Sequence, residues 1–89
     1  MNLETTKQAI TEVLSFAEQI RKGYSLTVSV SETGYARAYL NKQAPEGRVT
    51  LASIAWRTDN AEKANEFVVA VDKAIAENGA YADEDEMED

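Results

Sequence analysis

The sequence predicts a single α+β domain. It reads as a two-layer sandwich in the order α-β-β-β-α, a three-stranded antiparallel sheet with both helices on one face. Three observations carry this. Apolar residues recur at helical spacing near both ends of the chain. Between them the period falls to two, with breaks at 32–34 and 42–47. The chain has 89 residues, which suits one domain with a thin core.

Residues 3–22 read as the first helix. Ile10, Val13, Leu14, Ala17 and Ile20 form its apolar stripe, with Leu3 and Thr6 extending it backwards. Asn2 suits the N-cap, because its side-chain oxygen can accept from free first-turn amides. Glu18 precedes Lys22 by four residues, a favourable helix ion pair, and Gly23 suits the helix end. Residues 24–31 alternate Tyr24, Leu26, Val28 and Val30 with Ser25, Thr27, Ser29 and Ser31, which describes a half-buried strand. A three-residue turn closed by Gly34 leads into a second strand, 35–41. This turn pairs Val30 with Ala36, Val28 with Ala38 and Leu26 with Leu40. The alternative, a two-residue turn, buries the Arg37 guanidinium at high cost. Tyr35, Arg37 and Tyr39 therefore point away from the core.

Lys42–Gly47 reads as a longer loop fixed by Pro45 and Gly47. Residues 48–57 form the third strand, with Val49 and Leu51 towards the core and Arg48, Thr50 and Ala52 on the other face. Strict alternation sends Ile54 and Trp56 outwards. A bulge near Ala52 or Ser53 turns them in, and the large apolar area favours the bulge. Asp59 opens the last helix, with Glu62 completing an aspartate form of the capping box. Ala64, Phe67, Val68, Val71 and Ile75 carry its stripe, and Asn78 and Gly79 end it.

The net charge is −7, and six carboxylates (Asp83, Glu84, Asp85, Glu86, Glu88 and Asp89) fall in the last seven residues. Without them, ten acids face nine bases. Residues 1–82 thus read as a nearly neutral globule, and 83–89 as an acidic tail, disordered alone because like charges repel and nothing apolar is offered for burial. The tail reads as a solubilising segment or as a polyanion for basic, phosphate-binding surfaces of a partner.

Several chemistries are excluded by composition. The chain has neither Cys nor His, so disulfides, thiolate catalysis, an imidazole base and the usual zinc ligands are absent. It has no phosphate-binding glycine motif and no calcium-loop spacing. Serines without an activating base read as strand-surface residues. The expectation is a non-enzymatic protein with no catalytic residue, cofactor or metal. No apolar run is long enough to span a membrane, and the N-terminus lacks a signal pattern, so a cytoplasmic protein is expected. The candidate binding surface is the open sheet face: Tyr35, Arg37, Tyr39 and Arg48, with Trp56 joining if there is no bulge. Tyr, Trp and Arg dominate protein interfaces and also stack on bases. The same residues equally satisfy strand preference and solubility. An unpaired strand edge or the open sheet also allows a homodimer.

Two resemblances follow from these residues. The helix–three strands–helix order is similar to the double-stranded-RNA-binding domain, with residues 58–76 standing where that family's second helix would be. That family holds phosphates with a basic start to this helix, where Asp59 and Glu62 stand here. The shape therefore carries over and the duplex contact does not. The length, the acidity and the run 83–89 also resemble small acidic phage-encoded inhibitors of the anti-CRISPR and DNA-mimic type. That resemblance implies a protein-binding inhibitor that blocks a nucleic-acid-binding complex by occupying its basic surface, without binding nucleic acid itself. The alternative is a nucleic-acid-binding module whose tail is autoinhibitory.

Overall fold

The computed structural model describes residues 3–82. The elements are α1 (Leu3–Ala17), β1 (Tyr24–Val30), β2 (Tyr35–Ala44), β3 (Gly47–Arg57), a 3₁₀ turn (Ala61–Lys63) and α2 (Ala64–Glu77). The sheet is antiparallel, in the order β1-β2-β3. The α+β class and the α-β-β-β-α order are those the sequence predicts.

The first hairpin has the predicted register: Leu26 opposes Leu40, Val28 opposes Ala38 and Val30 opposes Ala36. Gly34 takes φ 90°, a left-handed conformation that a side chain would strain. The Ser31 amide donates to the Tyr35 carbonyl at 2.8 Å, closing the turn. Ala36, Ala38 and Leu40 are buried while Arg37 is exposed, so the sheet has one covered and one open face.

The second hairpin is longer than expected. Lys42–Ala44 continue β2, and Ala44 opposes Gly47 across the two residues Pro45 and Glu46. The Gln43 amide donates to the Gly23 carbonyl at 2.7 Å, and the Lys42 ammonium lies 5.6 Å from the Tyr24 ring centroid. These contacts hold polar residues in the sheet. The expected bulge is present, one residue earlier than placed. Leu40 opposes Ala52 and Asn41 opposes Thr50, so Leu51 is the extra residue. Ile54 and Trp56 consequently turn to the covered face, as the favoured bulge predicts, and Ala52 turns with them, against its expected orientation. Val49, expected in the core, is 46% exposed.

A single hydrophobic cluster joins both helices to the covered face. It contains Ala9 and Val13 of α1, Ala36, Ala38, Leu40 and Trp56 of the sheet, and Ala64, Phe67, Val68, Val71 and Ile75 of α2. The α2 stripe is the one the spacing predicts. In α1 the buried positions are Thr6, Ala9 and Val13, whereas Leu14, assigned to the stripe, is 47% exposed. The helix also stops at Ala17 rather than at residue 22. The chain there turns to lie antiparallel to residues 80–82: the Arg21 amide donates to the Ala80 carbonyl at 2.9 Å, and the Ala82 amide to the Gln19 carbonyl at 2.8 Å. Glu18 and Lys22 are therefore not helical neighbours. The expected Asn2 cap lies outside the described residues.

The Asp59–Glu62 capping box does not form. Asn60 leads into the 3₁₀ turn without a side-chain cap, and the Asp59 carboxylate accepts from Arg57 at 3.2 Å. The Trp56 indole N–H donates to the Asn60 carbonyl at 2.9 Å, which holds this approach in place. At the far end of α2, the Ala80 amide donates to the Ile75 carbonyl (3.0 Å) and the Gly79 amide to the Ala76 carbonyl (3.1 Å). With Gly79 at φ 64° this is a Schellman ending.

Candidate functional site

Side chains alternate across a strand, so the registers fix the membership of the open face. Ser25, Thr27 and Ser29 of β1 lie beside Tyr35, Arg37, Tyr39, Asn41 and Gln43 of β2. Across from these stand Arg57, Ala55, Ser53, Thr50 and Arg48 of β3. Four of the expected site residues, Tyr35, Arg37, Tyr39 and Arg48, are thus brought onto one face. Trp56 is not among them. It is 5% exposed on the covered face, with its ring stacked on Phe67 at a centroid distance of 5.4 Å. The bulge at Leu51 is the reason, since one extra residue inverts the facing of everything after it. Asp83, Glu84, Asp85, Glu86, Glu88 and Asp89 lie outside the described residues.

The sequence reading missed Arg57. Its guanidinium carbon lies 5.7 Å from the Tyr35 ring centroid, and that of Arg37 lies 5.9 Å from the same centroid. Both are within cation–π range, which favours a cation held near the ring. The reading also missed Asn41, which is buried although it belongs to the open face. Its amide nitrogen donates to the Thr27 hydroxyl at 3.4 Å, and its carbonyl oxygen accepts from the Thr50 hydroxyl at 3.0 Å. These three residues, with Tyr39 and Arg48, line a shallow basin of about 230 Å³.

The electrostatics of the face are one-sided. The open face holds Arg37, Arg48 and Arg57, and none of the three strands contains a carboxylate. Among the described residues no carboxylate lies within ion-pair distance of Arg37 or Arg48; Arg57 has Asp59. That distribution was legible, because the acids of the body fall in the helices and turns. Elsewhere, Lys63 of the 3₁₀ turn pairs with Glu66 (3.4 Å), and Lys73 pairs with Glu77 (3.9 Å) on α2. Both are exposed and worth little.

Among the described residues, no group of three or more acids forms a metal-binding cluster, and no helix is long and apolar enough to cross a membrane. A second groove, of about 300 Å³, lies between β3 and α2 beside Trp56 and Phe67. In comparisons with known proteins, no protein-family model, no curated protein and no solved structure matches this chain.

Proposed function

We propose that this chain is a non-enzymatic binding module that takes an anionic macromolecular partner on the open face of its sheet. The observation that supports this is a strand face with Arg37, Arg48 and Arg57, two interleaved tyrosines and no carboxylate. Arginine is suited to such work because its planar fork pairs with carboxylate or phosphate oxygens, and a ring beneath it limits the freedom lost on binding. Polyglutamate, a polyanion without bases, tests the reading. Titrated into isotope-labelled protein at low salt, it is expected to shift open-face amides of β2 and β3. Arg37→Ala combined with Arg48→Ala should abolish most of that shift. Shifts confined to the helices, or unchanged in the double variant, would refute it.

A second reading is favoured by the six carboxylates of residues 83–89. In it the chain is a protein-binding inhibitor, of the anti-CRISPR or DNA-mimic kind, that occupies the basic surface of a nucleic-acid-binding complex. The full chain should then displace nucleic acid from such a complex. A chain lacking 83–89 should do so more weakly and with a flatter salt dependence. Equal displacement by both chains at low and high salt would leave the carboxylates without a role.

A further inference from the structure

Resting on the reading of the open face as an anion-docking surface, we infer that its occupant is single-stranded nucleic acid. Along β2 the open face presents Tyr35, Arg37 and Tyr39 in succession. Residues on one face of a strand recur about every 6.7 Å, so ring, guanidinium and ring form a short linear array. A single strand offers the matching alternation of stackable bases and phosphates, and aromatic–base stacking is tolerant of sequence. The guanidinium groups of Arg37 and Arg57 near Tyr35 supply charge, and guanidinium planes also accept stacked bases. At the other end of the face, the basin between Tyr39 and Arg48 has hydrogen-bonding side chains, Thr27, Asn41 and Thr50, in its lining.

The rings discriminate among anions. An acidic protein surface would use the arginines but gain little from the tyrosines in this alternation. A duplex keeps its base faces stacked within the helix, where rings on a sheet do not reach them. The strands themselves place no carboxylate beside a phosphate chain.

The test is fluorescence anisotropy of labelled oligo-dT and oligo-U of roughly 12 nucleotides, within the span that small sheet domains cover. It uses the full chain at about 50 and about 200 mM salt. Saturable binding is expected, at least about tenfold tighter than to a duplex of equal length. Tyr39→Ala should weaken it roughly fivefold to hundredfold. Arg37→Ala should lower the slope of log affinity against log salt by about 0.7, the value for one single-strand phosphate contact. Both variants should melt like the parent. No binding at the lower salt, equal affinity for duplex, or indifference to Tyr39→Ala would overturn the inference. If polyglutamate shifts the open-face amides while neither oligonucleotide binds, single-stranded nucleic acid is excluded and the anion-docking reading stands. If neither ligand acts there, both fall.

Discussion

Tyr81 lies just after α2, half-buried, and its hydroxyl donates to the Asp72 carboxylate. Burial, then the hydrogen bond and negative charge of Asp72, push its pKa well above the ordinary tyrosine range. The neutral phenol is thus favoured more in the folded chain than in the unfolded one, where it titrates at about 10. The stability it provides is complete below that pH and declines as pH climbs beyond it. Urea midpoints measured from neutral pH to about pH 11 should fall less steeply for Tyr81→Phe than for the parent. An identical decline in the two proteins would show that the hydroxyl has no part in it. At this scale the sequence was uneven. Arg37 and Tyr39 could be oriented because the alternative buried a guanidinium. The facing of Trp56 and Arg57 depended on whether a bulge intervened, a backbone detail with no fixed residue signature. The contact of Tyr81 with Asp72 folds the segment after α2 back onto that helix, so no local pattern announces it.

Elements were legible where one face meets a core and the other meets water. The α2 stripe and the β1–β2 register satisfied that condition, and every predicted α2 position is buried. In α1 two offset stripes compete. One runs through Ile10 and Leu14, and the other through Thr6, Ala9, Val13 and Phe16. The predicted stripe drew on both, setting Thr6 and Val13 beside Ile10 and Leu14; small Ala9 and Thr6 permit closer approach to α2, and Thr6, Ala9 and Val13 are the buried positions, with Phe16 partly covered. The difference is measurable. Val13→Ala removes fully buried methyls and should cost about 1–3 kcal/mol in denaturant unfolding. Leu14→Gln replaces a side chain that is 47% exposed and should stay within about 0.5 kcal/mol. The reverse order would mean that the helix is rotated on the sheet. The capping box at Asp59 failed for a related reason. Its spacing was suitable, but Arg57 competes for the carboxylate and the chain enters α2 through a 3₁₀ turn.

At the scale of the molecule, acids are kept off the sheet. Three strand cations, Arg37, Arg48 and Arg57, mark the open face, and the helices and turns hold the acids of residues 3–82 together with the other non-strand cations. That much can be read from the sequence once the strands are drawn, because no strand contains a carboxylate. The closure of the fold cannot. The segment after α2 lies against the segment after α1, pairing Ile20 with Tyr81 in an isolated bridge too short to have a period. Ala80 in this strap is fully buried. The strap ties the exits of the two helices together and leaves the open face uncovered. In a domain this small, such a tie is a large share of a marginal stability. Its two cross-strap backbone hydrogen bonds contribute about 1 kcal/mol each, and burial of Ala80 and Tyr81 about 1 more. A chain ending after Gly79 should therefore unfold with about 3 kcal/mol less free energy than one ending after Ala82, as measured by circular dichroism in urea. A deficit below about 1 kcal/mol would mean that the helices and sheet hold together without the strap.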